Sequence, residues 1–495
     1  MDLANIPSLS HSLPTLLLTF SVVAVFLLDL VVEKKEWLGD LVLIIVAAAI
    51  FLVVWQLSSE TGALFHRSVA LDEFGMYFQL LVLLSAFATI WMSLGSKEVR
   101  RVNQGEYWAI LLAATLGMTL MATATNLLMA YLSLEFVSLT SYVLAGYSLH
   151  SRRAGEASLK YLIYGGVASG AMIYGMSWIY GLAGTLDFHG IQLALAQAEG
   201  AGAALPLYVA LILTVAGLGF KISAFPFHMW APDVYQGAPI PVAAFLAVGS
   251  KTAAFALMIR FFFTAMSQAD GGGGYNLVGG VSWHHLLMVL SILTMTYGNL
   301  AALNQQSNVK RLLAYSGIAH AGYALMGFVV LTDDGLRAMI FYLTVYYLMN
   351  IGAFLVVMMV ANSTGREDLA GFKGLAWRGG ALPAIAMAIF MFSLTGLPPL
   401  GGFIGKFYLF AAVVKEELYL LAVVGVLNSV ISLFYYAKIV RTMFLEEPTG
   451  GEGAVEVDLH NGFLLGLLTI GTVVLGIFWG PLFDFADRST RLFIG

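Results

Sequence analysis

The sequence predicts an all-α polytopic membrane protein of about fourteen transmembrane helices, forming a single membrane domain over residues 1–495. Hydrophobic residues make up 60% of the chain and charged residues only 11%, whereas a soluble domain carries about 25% charged residues. Long apolar runs such as 16–32 and 338–360 carry almost no charge. Runs near 20 residues suit a bilayer-spanning helix.

Charge clusters and glycine or proline breaks divide the chain into spans, which we number 1 to 14 in chain order. Span 1 lacks a basic leader and a small-residue cleavage pattern, so we expect a retained helix rather than a cleaved signal peptide. The predicted ranges are 13–32, 38–57, 74–95, 107–124, 126–148, 158–183, 205–230, 238–266, 283–303, 310–331, 337–361, 381–414, 418–442 and 461–483.

Basic residues predict the orientation of these spans. The loops that join odd to even spans hold thirteen lysines and arginines, whereas the opposite side, with both termini, holds five. Cytoplasmic loops are the ones enriched in basic residues. Both termini are therefore expected to face away from the cytoplasm. A glycine run at 271–274 on the outer side is expected to be a flexible linker.

Two spans are interrupted by proline and glycine. The segments are FKISAFPFHMWAPDVYQGAPIP at 220–241, in span 7, and LTGLPPLGGFIGKFY at 394–408, in span 12. Proline removes a backbone donor, and the freed polar groups must face protein or water. Interruptions five spans apart favour two inverted repeats with an ion site near the membrane centre. The alternative is ordinary proline kinks.

Four ionisable residues fall deep inside predicted spans: Glu135, Lys221, Lys251 and Lys406. Each unpaired charge at the bilayer centre costs about 2.5–3.5 kcal/mol. Burial lowers the proton affinity of a lysine and raises that of a glutamate, and pairing with an opposite charge reverses both effects. Such groups therefore suit proton transfer, whereas arginine stays protonated and does not. The alternative is a static Glu135–Lys221 ion pair, with the other two lysines snorkelling. Arg260, near the outer end of span 8, is expected to reach the interface.

Weaker candidates could extend a proton path. Histidine titrates near neutrality, and two tyrosines share one face of span 11 with Asn350 at four-residue spacing. A structural polar role explains the histidines equally well, aromatic packing is the commoner explanation for the tyrosines, and snorkelling is favoured for the lysine. Asp233 is expected to cap or turn the chain after the first break. The secondary candidates are His228, His320, Lys160, Tyr342 and Tyr346.

The sequence contains no recognisable cofactor site. Cysteine is absent, which excludes thiolate-ligated iron–sulfur clusters. We find no metal-ligand spacing, no phosphate-binding loop, no dinucleotide fingerprint and no basic patch for nucleic acid. Any redox chemistry is expected to occur in other chains.

Four segments resemble a known family. They are SLKYLIYGGVASGAMIYG at 158–175, the first break extended to 245, KRLLAYSGIAHAGY at 310–323, and the second break. Together with the buried charges they are similar to the antiporter-like subunits of complex I and the Mrp antiporters. The similarity is strongest to subunit N of the proton-translocating NADH:quinone oxidoreductase, and Lys406 fits subunit N rather than subunit M, where a glutamate is expected. The resemblance covers about residues 70–445.

This resemblance implies a division of the chain. Inverted five-helix repeats would comprise spans 4–8 at 107–266 and spans 9–13 at 283–442, with spans 1–3 in 1–100 and span 14 at 461–483. Glu135 and Lys221 would form a modulating pair, Lys251 the central relay, and Lys406 the step toward the far side.

The resemblance also implies partners and a location. The chain would be a proton-translocating subunit of an enzyme that transfers electrons from NAD(P)H or another donor to quinone. Partner subunits would carry FMN and iron–sulfur clusters and bind quinone. Neighbours would be subunits M, K, J and A in a bacterial inner membrane, with both termini periplasmic, in preference to a thylakoid membrane. The alternative is an Mrp-type cation/proton antiporter subunit.

Overall fold

The computed structural model describes residues 8–33, 35–59, 61–101, 104–197, 204–305, 308–448, 455 and 457–490. Lys34 and Arg491, which count among the basic residues used for orientation, lie outside these ranges. The described chain is almost entirely helical, and its four short strands form two separate hairpins.

Spans 1 to 6 form six helices, close to their predicted ranges. Polar caps fix three of their starts, because a side-chain oxygen accepts a free backbone N–H at the helix N-terminus. Asp72 accepts from Gly75 N at 2.7 Å, Asn126 from Met129 N at 2.7 Å, and Ser151 from Ala154 N at 3.3 Å. The helices are α1 Leu13–Val31, α2 Leu38–Gln56, α3 Glu73–Gly95, α4 Gln104–Thr123, α5 Leu127–Ala145 and α6 Arg152–Ala183.

Span 7 is interrupted as predicted. After the short helix α7 (Phe188–Gln197), α8 runs from Ala204 to Ile222 and is followed by Ser223, whose φ of 61° is left-handed. The chain resumes as α9 (Ala231–Gly237). Span 8 is α10, Ile240–Ala265, which contains a π-helical segment at Leu246–Ser250 directly before Lys251.

The second half repeats this pattern. Span 12 is two helices of 15 residues each, separated at Gly396, whose φ is 91°. A glycine adopts this left-handed conformation without steric cost. The helices are α11 Trp283–Asn304, α12 Val309–Val329, α13 Asp333–Thr364, α14 Ala381–Thr395, α15 Gly401–Lys415, α16 Tyr419–Leu445, α17 Leu459–Ile477 and α18 Gly480–Arg488.

Both hairpins lie at the end of the bundle opposite the basic loops. Strands β1 (Gly62–Leu64) and β2 (Val69–Leu71) pair antiparallel, as do β3 (Ser267–Ala269) and β4 (Tyr275–Leu277). The glycine run at 271–274 therefore forms the turn of the second hairpin, and the prediction of a flexible linker is wrong. Asp270 organises this turn, because its carboxylate accepts from Gly272 N at 2.7 Å and Gly274 N at 2.9 Å.

The helix lengths confirm a polytopic membrane protein. Within the described ranges, thirteen helices are long and apolar enough to cross a membrane, or up to fourteen when a bent pair counts as one span. Helices α10, α12 and α13 are almost completely enclosed by other helices, whereas α1, α2 and α17 lie at the periphery. The most enclosed helices include the one that carries Lys251.

Equivalent features recur in the two halves. Helices α6 and α13 both have 32 residues and both end at a glycine with φ near 70°, Gly184 and Gly365. Asn126 caps α5 as Asn308 caps α12. The first residue of each capped helix also donates to the loop after the long helix, Leu127 N to Leu186 O and Val309 N to Glu367 O, both at 2.9 Å. These matches, on spans predicted to run in opposite directions, are what an inverted repeat produces.

Candidate functional site

Three lysine side chains lie inside the helix bundle. Lys221 at the end of α8 is 0% exposed, Lys251 in α10 is 2% exposed, and Lys406 in α15 is 4% exposed. Within the described chain, no carboxylate lies within 4.0 Å of any of these three amines. Each amine is hydrogen-bonded to neutral oxygen atoms, so snorkelling to an interface does not explain Lys251 or Lys406.

The interruption of span 7 positions Lys221. Because α8 stops one residue later, its last carbonyl groups lose their helical partners. The loop supplies others: Ala224 N donates to Gly219 O at 2.7 Å, and the indole Nε1 of Trp230 donates to Phe220 O at 2.9 Å. The chain therefore breaks next to the lysine without leaving these carbonyl groups unsatisfied.

Lys221 contacts a hydroxyl group rather than a carboxylate. Its Nζ donates to Ser138 Oγ at 3.2 Å and lies 5.7 Å from the centre of the Tyr161 ring. Ser138 follows Glu135 by three positions on α5, so the two side chains share one helix face. Glu135 Oε1 is buried and has no hydrogen-bond partner in the described chain. The static Glu135–Lys221 ion pair considered from the sequence is not formed here.

His228 lies within the break and has no polar partner among the described residues. Both of its ring nitrogens are buried and unpaired. The ring packs on Tyr297 with centroids 4.1 Å apart and on Phe225 with centroids 5.4 Å apart. Its aromatic packing is therefore complete, whereas its hydrogen bonding is not.

Lys251, the central lysine, sits where α10 meets α12. Its Nζ donates to Gly317 O at 2.8 Å and lies 5.9 Å from the centre of the Tyr235 ring. A side-chain carbon at Gly317 would lie 3.0 Å from this amine and 3.1 Å from the Tyr346 hydroxyl. The absent side chain of Gly317 therefore lets the lysine and the tyrosine face each other across α12.

His320 is the centre of a hydroxyl cluster on three helices. Its Nδ1 is 2.5 Å from the Tyr342 hydroxyl and its Nε2 is 3.1 Å from the Tyr436 hydroxyl. Its ring centroid lies 5.2 Å from that of Tyr346, which accepts from Asn350 Nδ2 at 2.8 Å. The predicted shared face of Tyr342, Tyr346 and Asn350 thus points toward one histidine.

Lys406 lies beside the second interruption. Its Nζ donates to Thr395 O and to Ser429 Oγ, both at 3.0 Å. It also lies 4.3 Å from the centre of the Tyr323 ring, whose hydroxyl is 3.4 Å from Ser429 Oγ. The freed carbonyl at the end of α14 therefore holds the amine directly.

The basic end of the bundle opens into a polar cavity of about 760 Å³. Lys310, which is buried at its edge, forms an ion pair with Glu367 at 2.7 Å and donates to Ala238 O at 3.1 Å. The cavity lies between the loops that follow α3, α5 and α13 and the starts of α10 and α12.

Lys160 belongs to an ion-pair network beside this cavity. Its Nζ lies 2.6 Å from both Glu156 and Asp233, and Asp233 also contacts Arg311. Asp233 therefore joins α6, α9 and α12 rather than only turning the chain. Lys160 does not contact any of the three buried lysines.

The expectation that Arg260 reaches the interface is wrong. Its guanidinium is 0% exposed and contacts Asp72 through two hydrogen bonds of 2.7 and 2.8 Å. It also donates to Ala122 O. This pair ties α10 to the start of α3.

Several buried polar residues of this region were not predicted from the sequence. Asn428, Ser432 and Tyr436 repeat at four-residue spacing on α16 and are buried, so the pattern that identified the span 11 face would have found them. Ser138 carries no such signal. The described residues contain no cluster of three histidine or carboxylate side chains that could hold a metal ion.

Comparisons with known proteins identify the class. Residues 124–432 match the family described as NADH:quinone oxidoreductase/Mrp antiporter, TM. Subunit N of NADH-quinone oxidoreductase from Anaeromyxobacter sp. is 44% identical, covering 97% of this chain and 96% of that protein. A chain of respiratory complex I from Thermus thermophilus is 30% identical with a TM-score of 0.79, covering 95% of this chain and 98% of that one.

A chain of the Mrp complex from Dietzia sp. shares the fold, with a TM-score of 0.83 at 21% identity, covering 97% of each chain. The fold and the buried lysines thus define an antiporter-like membrane subunit. The chain belongs to the NADH:quinone oxidoreductase/Mrp antiporter family, and within it to subunit N of NADH-quinone oxidoreductase.

Proposed function

We propose that this chain transfers protons through the membrane along Lys221, Lys251 and Lys406, as part of an NADH:quinone oxidoreductase. The observation that carries the proposal is that Lys221, Lys251 and Lys406 are enclosed by protein yet bonded only to neutral oxygens. An uncompensated buried ammonium is costly. The proton occupancy of each amine therefore responds to any charge that approaches it.

A route follows from the neighbours of each amine. The cavity at the basic end admits water. Glu135 modulates Lys221 through Ser138, whose hydroxyl can donate and accept. Lys251 is the central relay.

From Lys251 the route continues through Tyr346 and the cluster around His320, with Tyr342, to Lys406, which passes the proton onward. His228 contributes through water, because both of its nitrogens are open to it. Lys160 holds the entry region through Asp233.

We further propose the setting of this activity. Electron transfer takes place in partner subunits that carry FMN and iron–sulfur clusters and bind quinone. The neighbours are subunits M, K, J and A in a bacterial inner membrane, with the basic end cytoplasmic and both termini periplasmic. Residues 107–266 and 283–442 are the inverted repeats, flanked by 1–100 and 461–483.

The test replaces lysine in the intact complex reconstituted in liposomes. Lys406→Arg and Lys251→Arg keep a positive charge but cannot release a proton. We therefore expect each variant to lower the number of protons taken up per quinone reduced by at least about tenfold. Lys415→Met is the control, because Lys415 is 68% exposed, and it should leave pumping unchanged. Normal pumping by both arginine variants in assembled complexes would refute the proposal.

The second candidate, an Mrp-type cation/proton antiporter subunit, is favoured by the fold shared with the Dietzia complex. It predicts that a sodium gradient alone drives proton movement through the chain. Proton flux that requires quinone reduction and ignores sodium would exclude it. A scaffold with an inactive channel instead predicts that removing the charge of Lys221 is silent.

A further inference from the structure

A second polar cavity, of about 680 Å³, lies at the basic end of the bundle. It is bounded by the start of α2, the end of α3, the start of α4 and the start of α17, which are the elements that carry its lining residues. None of the residues of the proton route lines it. Because it lies where peripheral helices end, it sits at the predicted membrane interface.

The cavity carries charges of both signs. Glu36, Asp40 and Asp458 line it, and Arg100 stands at its edge. In the described part of the chain, none of these three carboxylates forms an ion pair. Arg100 is held in position because its Nε and Nη2 donate to Leu94 O at 3.1 and 2.9 Å. Asp458 Oδ1 also accepts from Asn461 Nδ2 at 2.8 Å. The site therefore offers three carboxylates outside any described ion pair to a cation, next to a fixed guanidinium.

Trp108 adds an unused donor. The side chain is 1% exposed and lines the cavity, and its Nε1 has no hydrogen-bond partner among the described residues. A side-chain carbon at Gly39 would lie 2.7 Å from Cζ2 and 3.1 Å from Cε2 of this indole. Cε2 is bonded to Nε1, so the donor edge faces the start of α2, where Asp40 lies. A buried N–H group normally has an acceptor.

An apolar stripe leads from the cavity toward the membrane centre. Half-buried residues recur every three or four positions along one face of α3. They span 14 positions, or about 21 Å, which exceeds the thickness of one leaflet, about half of a 30 Å hydrocarbon core. Trp91 in this stripe stacks with His460 and Phe463 of α17, with ring centroids 4.7 and 5.9 Å apart, and its ring is tilted against that of Phe87 at 5.7 Å. The stripe comprises Leu80, Leu84, Phe87, Trp91 and Leu94, and Leu94 also lines the cavity.

We propose that this cavity and stripe bind one phospholipid whose zwitterionic headgroup carries a primary ammonium. The ammonium lies among Glu36, Asp40 and Asp458, and the phosphate accepts from Trp108 Nε1 and Arg100. One acyl chain lies on the α3 stripe.

Other occupants fit less well. A free phosphate would meet three carboxylates, and an anionic lipid would do the same. A metal cation would leave the indole donor and the stripe unused.

The experiment measures lipid retention by the intact purified complex. The complex is exchanged into bilayers of phosphatidylethanolamine, phosphatidylcholine or phosphatidylglycerol, and bound lipid is counted by native mass spectrometry after delipidation. We expect at least about tenfold greater retention of phosphatidylethanolamine at one site per copy of this chain, because a quaternary ammonium has no N–H to donate to the carboxylates. Equal retention of the three lipids would overturn the proposal, and this arm needs no variant.

Variants locate the site on this chain. Trp108→Phe keeps the ring and removes the N–H group, so retention should fall by about three- to tenfold. Trp178→Phe on the exposed face of α6 is the matched control and should retain lipid like the wild type. Unchanged retention by an assembled Trp108→Phe complex, or a segment of another subunit filling the groove in the assembled complex, would refute the assignment.

Discussion

Replacing Asp72 with alanine should destabilise the protein strongly, because it isolates a buried guanidinium. Asp72 is 1% exposed, Arg260 is 0% exposed, and two hydrogen bonds of 2.7 and 2.8 Å join them. Removing one partner of such a pair costs about 3–5 kcal/mol. Asp72 also caps α3 through Gly75 N, and a lost cap costs about 1 kcal/mol more. Lys251 lies nine residues from Arg260 on the same helix, about 13.5 Å away, so quinone-coupled pumping should fall as well.

The assay is the temperature at which half of the purified complex loses this subunit, followed by size-exclusion chromatography after heating. Lys373→Ala is the control, because Lys373 lies 3.8 Å from Glu446 in a half-exposed pair, which contributes about 0–1 kcal/mol. The double variant Asp72→Leu/Arg260→Met should recover most of the loss, because it leaves no buried charge. The reasoning is refuted if Asp72→Ala is no worse than Lys373→Ala, or if the double variant is no better than Asp72→Ala.

Three further substitutions test the proton route. Gly317→Ala would put a methyl group 3.0 Å from the amine of the central lysine and should slow quinone-coupled pumping by about tenfold, equivalent to about 1.4 kcal/mol. The control is Gly170→Ala on α6, which has no neighbour within 4 Å and should not slow pumping. Equal rates in the two variants would contradict the role of Gly317. Ser138→Ala should slow proton uptake by about three- to tenfold, since a hydrogen bond contributes about 0.5–1.5 kcal/mol net. Ser138→Thr keeps the hydroxyl and should restore the rate. An alanine variant as fast as the wild type would remove serine from the route. Tyr342→Phe removes the 2.5 Å contact to His320 and should lower pumping by a similar factor. Native electrophoresis should show that the complex is still assembled. Unchanged pumping would show that the contact is only structural.

The deep lysines could be found from the sequence because their signal is local. A charged side chain inside an apolar run is costly in lipid, whatever lies elsewhere in the chain. The same applies to the broken helices, since proline and glycine act on their own turn. The number of spans and both interruptions were therefore predictable.

The partners of these residues were not predictable, because contacts between helices depend on tertiary packing. Asp72 and Arg260 are 188 residues apart, and nothing in the sequence links them. Ser138 looks like any helical serine until α8 brings Lys221 to it. Asp233 looked like a turn residue because its two basic partners come from other helices.

The matched long helices α6 and α13 carry a consequence for how access to the two membrane faces could alternate. Each half contains the same set of three elements: a helix with an asparagine cap, a 32-residue helix that ends at a glycine, and an interrupted helix with a lysine beside the interruption. In the proposed inverted arrangement these two sets of helices face opposite leaflets, so a rearrangement at either membrane face stays within its own half. In that arrangement we expect access to alternate through local steps within each half.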